Sequence, residues 1–434
     1  MLTMKRAGVA ILIFVAGAIA LVQSCGGDDG GSADTTPGGG DATGSYDAGI
    51  PFDAGAWDAG GISDSGGIAD SGPPPDASTI SVTIQNQEIP AGAAAVAIAL
   101  SGDPQMVRVD PTAKYLYLAD AAAGKVHALF KKSVQNTTST DFPTPSDFSV
   151  NTASGVVAVT GGNSGKLGFL DPSKDNALDT IDVKEDAGDV KSRPALWDQT
   201  NAEVFVLNPN SNSVLVVEST PDPPVVTEIP VGARPIAIDF DKPNRKLIVV
   251  NAGDNTVSLI HRPDNAVQTV AVGAAPAAVR FSVVDGAAYV VNTAGNSVAK
   301  VDTAAGAVTE TLQVGAAPAA IQIDSTKNML YVANSGDNTV TTIKQGQPLS
   351  PAIQVGSKPV AVAIDEGVPI IFTANNGDGS VSIIDYWKNF EVHNFPLTGT
   401  GASKIAIDPD TGMLWILNAG NGTVTMVGGY KFDM

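Results

Sequence analysis

A ring-closed, all-β fold is what the sequence predicts, and three observations predict it. One unit of about 40 residues recurs eight times along the chain. Each copy divides into four short runs of alternating Ile, Val and Leu broken by Gly, Asn and Asp, which is how strands joined by tight turns read. No helical period appears beyond the first 24 residues. Four-stranded repeats of roughly 40 to 45 residues match the blades of a β-propeller, whereas the coils of a parallel β-helix are far shorter.

The repeats align on one position, occupied by Asp120, Gly161, Asn208, Asn251, Asn292, Asn334, Asn375 and Asn418, with spacings of 41, 47, 43, 41, 42, 41 and 43 residues. A proline precedes most of these markers at a fixed distance, at Pro104, Pro145, Pro235, Pro276, Pro318 and Pro359; the third unit shifts it to Pro194 and the eighth has Ala402 instead. In the sixth unit the expected strands are 320–323, 329–333, 339–343 and 352–355. The last unit stops soon after its third strand, 423–427, so its outer strand is missing. Residues 95–100 are expected to supply it, because closure of the ring by strands from both ends leaves no exposed edge. The strand-like residues 79–88 have no assigned place, and a seven-bladed ring with the divergent first unit packed outside is the alternative.

Leu330-Tyr331-Val332-Ala333-Asn334, preceded by Val314-Gly315-x-x-Pro318 and followed by Asn338-Thr339-Val340, resembles the YVTN-type β-propeller repeat. Variants at 247–251 and 288–292 extend the likeness from about Pro104 to the end of the chain, most closely in the fourth to eighth units. The resemblance implies an exported or surface-exposed propeller, and implies fold and compartment more firmly than activity.

The N-terminus points to the same compartment. Lys5 and Arg6 precede an uncharged apolar run at 7–22, the build of a secretory signal peptide. The single cysteine, Cys25, follows directly, in a setting that resembles the lipobox of bacterial lipoproteins. Residues 1–24 are therefore expected to be a lipoprotein signal, with Cys25 the acylated first residue of the mature protein and its contact with a membrane; Gly26 after it favours the outer membrane or cell surface by resemblance to sorting signals. With Cys25 lipidated, no thiol remains for a disulfide. Residues 26–78 hold ten Asp, with no Glu, Lys or Arg, and almost nothing to bury, so a disordered acidic tether is expected. Its reach as a flexible chain is roughly 40 Å. Its DAG and DSG repeats, at Asp47, Asp53, Asp58, Asp64 and Asp70, lack the alternating ligands and closing Glu of a calcium loop.

Of the net charge of −20, the signal contributes +2 and the tether −10, which leaves −12 on the domain at 79–434. Such a domain is a poor partner for nucleic acid. Chemistry in a propeller gathers at one mouth of the channel lined by the innermost strands, and those strands, read from Pro-Ala-Ala-Ile-Gln-Ile, are expected to be packing. His127, His261 and His393 are scattered over third and fourth strands, and no CxxCH exists for a haem, so no cofactor and no metal is expected. Trp197 and Trp415 read as core; Trp57 and Trp387 share no blade-by-blade spacing with them. Some propellers of similar build are metal-dependent lactonases or lyases with Glu, Asp and Asn at the channel mouth; here only Glu366 follows an inner strand.

The hairpins after the markers carry Asn251 with Asp254, Asn334 with Asp337, and Asn375 with Asp378. Turn chemistry accounts for these residues, since Asn, Asp and Gly tolerate positive φ and bond their own backbone. They should share one rim with the VGxxP loops, where Arg234 and Lys358 sit, and that rim is the candidate binding face. The expected function is a monomeric binding scaffold at the cell envelope for a protein or glycan, with the channel enzyme as the alternative.

Overall fold

A computed structural model describes residues 82–85, 94–99 and 104–428, apart from short stretches within the last range, of which 185–193 is the longest. The signal, Cys25, the tether, Trp57, Glu366 and Trp387 lie outside the described residues.

Eight antiparallel sheets form the domain, so the eight-bladed arrangement holds over the seven-bladed alternative. Blade 4 shows the common plan: Pro235–Asp241, Lys246–Asn251, Thr256–His261 and Val267–Ala271 pair in sequence order. The first strands of the other blades are Pro104–Val109, Pro145–Val150, Ala195–Asp198, Pro276–Ser282, Pro318–Asp324, Pro359–Asp365 and Ala402–Ile407. Each first strand touches those of the two neighbouring blades, and that of blade 1 meets that of blade 8, which makes them the inner wall of a closed ring.

Closure uses both ends of the chain. Thr423–Gly428, the third strand of blade 8, pairs with Ala94–Ala99 in the register Ala97↔Thr425. Val82–Gln85, within the stretch left without a place by the sequence, adds a fifth strand outside it. In blade 6 the outer strand is split into Gln347–Pro348 and Ile353–Gln354, because Pro348 and Pro351 have no N–H to give to the ladder.

The core lies between blades rather than within one. Ile248, Val250 and Leu259 of blade 4 pack against Val279, Ala288 and Val290 of blade 5. Val107 and Leu116 of blade 1 pack against Trp415 and Leu417 of blade 8, which seals the ring. Second strands are covered on both faces, so Met329–Asn334 is buried at every position and reads as one apolar run rather than an alternation. Each fully buried Leu, Ile or Val contributes roughly 1.5–3 kcal/mol. Trp197 and Trp415 are both buried, as expected of core residues.

Candidate functional site

Two surfaces come together at the ring: the rim formed by the VGxxP loops and the hairpins, and the channel wall. On the rim the expected co-location is present. Ala252 N–H donates to Arg234 C=O and Gly253 N–H to Ala233 C=O, so hairpin and loop lie side by side.

The rim residues singled out in the sequence are committed to holding it together. Asn251, Asn334 and Asn375 are fully buried, and each Nδ2 donates to two hydroxyls of the third strand: Thr256 and Ser258, Thr339 and Thr341, Ser380 and Ser382. The VG glycine lies against this amide, since a Cβ on Gly315 would stand 2.6 Å from Asn334 Nδ2. That contact explains why the two motifs travel together. Asp254, Asp337 and Asp378 are exposed, and each accepts from a loop N–H of its own blade, Ala233 at 2.9 Å, Ala316 at 2.9 Å and Ser357 at 2.6 Å.

A second set of side chains, missed in the sequence, joins blade to blade. Asn212, Asn255, Asn296 and Asn338, one at each hairpin, accept from Arg234, Ala275, Ala317 and Lys358 N–H of the next blade at 2.8–2.9 Å. The four donor residues all have positive φ, 52°, 51°, 46° and 54°, and all precede a proline. Left-handed backbone on a non-glycine residue costs on the order of 1 kcal/mol. The side chains of Arg234 and Lys358 are exposed on this rim.

The channel wall departs from the expectation of small apolar packing. That expectation holds for Pro359–Asp365, but other inner strands carry Arg108, Asp147, Ser149, Asp239, Arg280, Gln322 and Lys404. The correction has a physical reason: an inner strand has a free edge facing the channel, and these side chains serve that edge and its neighbours. Asp147 accepts from Phe148 N–H at 2.8 Å and, across to blade 3, from Ala195 N–H at 3.1 Å. Asp239 repeats the device, accepting from Phe240 N–H and from Phe281 N–H of blade 5, both at 2.8 Å. Ser149 accepts from Trp197 N–H, Arg108 donates to Phe148 C=O, and Arg280 donates to Gln322 Oε1. Burial pushes both carboxyls above their ordinary value, against the opposing pull of Arg108 and Lys404 on Asp147 and of Arg280 on Asp239.

The histidines do not converge. His127 is buried and bonds Ser139 at 2.8 Å, at the position Ser258 and Ser382 hold in other blades; His261 is exposed beside Asp264; His393 lies on an outer strand. Among the described residues no three His, Cys, Asp or Glu side chains gather as a metal site.

The model of the family described as "Lactonase, 7-bladed beta-propeller" matches residues 287–427, from blade 5 to blade 8. No curated protein matches the chain. Among solved structures the chain is similar to a dihydro-heme d1 dehydrogenase in complex with DHE, at 13% identity and a TM-score of 0.58, covering 76% of this chain and 73% of that one. It is also similar to a virginiamycin B lyase from Staphylococcus aureus, at 12% identity and a TM-score of 0.52, covering 66% of this chain and 95% of that one. At such identities the likeness is one of fold.

Proposed function

We propose that this β-propeller is an envelope lipoprotein, anchored through Cys25 at the outer membrane or cell surface, that binds a protein or glycan with its ring as a monomer. The observation that carries the reading is the use of the repeated rim residues. Asn251, Asn334 and Asn375 and the carboxylates of Asp254, Asp337 and Asp378 serve the fold, so the rim presents outward what differs between blades, such as Arg234 and Lys358. An invariant frame with variable side chains suits recognition. The acidic tether supplies reach from the membrane.

Two experiments test it. Cys25→Ala should release the protein from the membrane fraction, and retention there would overturn the anchoring. Capture from surface extracts should weaken in an Arg234→Gln/Lys358→Gln variant, and unchanged capture would remove the rim from the reading.

A second reading, a metal-dependent lactonase- or lyase-like enzyme at the channel mouth, is favoured by the match of residues 287–427 to the lactonase model. Calcium, magnesium and zinc titrations separate the two, because one tightly bound ion in the channel would favour the enzyme.

A further inference from the structure

An innermost strand is flanked by its own second strand and by the neighbouring blades, so an exposed side chain on it reaches solvent through the channel. Among the described residues, the charged inner-strand side chains that are exposed are all cationic: Arg108, Arg280 and Lys404. The carboxylates of the same strands are turned inward, Asp147 buried and Asp239 half-buried, each already accepting two backbone N–H groups. A domain that is acidic as a whole therefore lines its channel with positive charge.

The three cations are placed in two groups. Arg108 and Lys404 stand on adjacent blades, 1 and 8, and both act through space on the Asp147 carboxyl between blades 2 and 3. Arg280 stands on blade 5, opposite blade 1 in a ring of eight, and at the same depth: Arg108 is in register with Tyr117 and Arg280 with Tyr289, three residues before their markers. Lys404 is in register with Leu417, one residue before its marker and so nearer the rim. Arg108 and Arg280 each make one or two hydrogen bonds that leave further N–H groups of the guanidinium, and Lys404 has no hydrogen-bond partner among the described residues.

We propose that the central channel is an anion site, taking a small ligand with two or more carboxylate or phosphoryl groups between the Arg108–Lys404 pair and Arg280. Guanidinium forks match such groups, and a narrow passage walled by low-dielectric strands concentrates the attraction. This site is separate from the rim and rests only on the reading of the ring as a binder.

The test is calorimetric titration of purified full-length protein with citrate and with pyrophosphate at constant ionic strength. Saturable binding of at least one is expected, and its absence for both overturns the proposal. Lys404→Gln, which removes no hydrogen bond of the fold, should weaken binding roughly tenfold, and Arg108→Gln/Arg280→Gln should weaken it further. Affinity equal to that of the unsubstituted protein in both variants would also overturn it. Arg234→Gln/Lys358→Gln should leave anion binding unchanged; a matching loss there would place the anion on the rim instead. Failure of this titration with intact surface capture would leave the rim reading standing, and the reverse pattern would leave the channel site standing alone.

Discussion

Asp147 of blade 2 accepts the backbone N–H of Ala195 in blade 3 at 3.1 Å, with its other oxygen on Phe148 N–H, so one carboxyl ties two inner strands together. Burial holds this carboxyl above its ordinary value of 3.8. A raised value in the folded state means that the protonated form is the one folding favours, so its contribution is complete below about 3.8 and is lost as pH rises through the raised value. Asp147→Asn does not titrate and turns an N–H toward the Ala195 donor, losing one hydrogen bond. The variant should be less stable by about 1–3 kcal/mol at acid pH, and the deficit should shrink as pH rises. Denaturant midpoints measured from pH 4 upward check this; a deficit that grows with pH would refute it.

The blade count was legible because Asn334 and its equivalents must sit where a VG glycine packs on the amide, so both letters repeat at fixed spacing. Closure was legible too, from the missing outer strand beside 423–427 and the spare one at 95–100, which the pairing of Ala97 with Thr425 bears out. The channel charges are not legible in the repeat pattern, because blade 6 has Ala320 and Gln322 at the places where other blades carry Asp147, Arg280 and Lys404. Their signal is variation between copies of the inner strand, which an alignment on the repeated letters passes over. The blade-to-blade acceptors were beyond reach for another reason: Asn338 and Lys358 are turn residues by local chemistry, and only the three-dimensional ring brings the amide to the loop N–H.

The rim carboxylates should behave as independent clips. Asp337→Ala removes the acceptor for Ala316 N–H and for the Thr339 hydroxyl, and Asp254→Ala does the same to Ala233 and Thr256. Both carboxylates are exposed, so each variant should lose about 1 kcal/mol. The sites lie in different blades and share no partner, and the double variant should lose the sum within about 0.5 kcal/mol. Chemical denaturation of the two singles and the double measures it, and a large coupling term would mean that the clips act through a common element.

Lys358 is held at φ 54° by the bond from its N–H to Asn338 Oδ1. Glycine adopts that conformation without the strain of a Cβ but loses more entropy on folding, effects of on the order of 1 kcal/mol each and of opposite sign. Lys358→Gly should therefore leave stability unchanged within about 1 kcal/mol, while Lys358→Val, β-branched at positive φ, should lose about 2 kcal/mol. Thermal melts of the pair decide it, and equal melting for Gly and Val would show that the loop relaxes out of the left-handed region.

The ring depends on one seam between the two ends of the domain. Ala94–Ala99 covers Thr423–Gly428, and among the described residues nothing else pairs with that edge. Adjacent residues of a strand point their N–H groups to opposite sides, so replacing Val96 and Ala97 together by proline removes one donor from the seam and one from the pairing with Val82–Gln85. The uncovered Thr423–Gly428 strand then offers unpaired groups to a second molecule. Val96→Pro/Ala97→Pro should lower the melting midpoint by several degrees and add concentration-dependent association, read by light scattering against the unsubstituted protein. A variant with unchanged size and an unchanged midpoint would show that the inter-blade packing of Leu116 and Trp415 closes the ring without the seam.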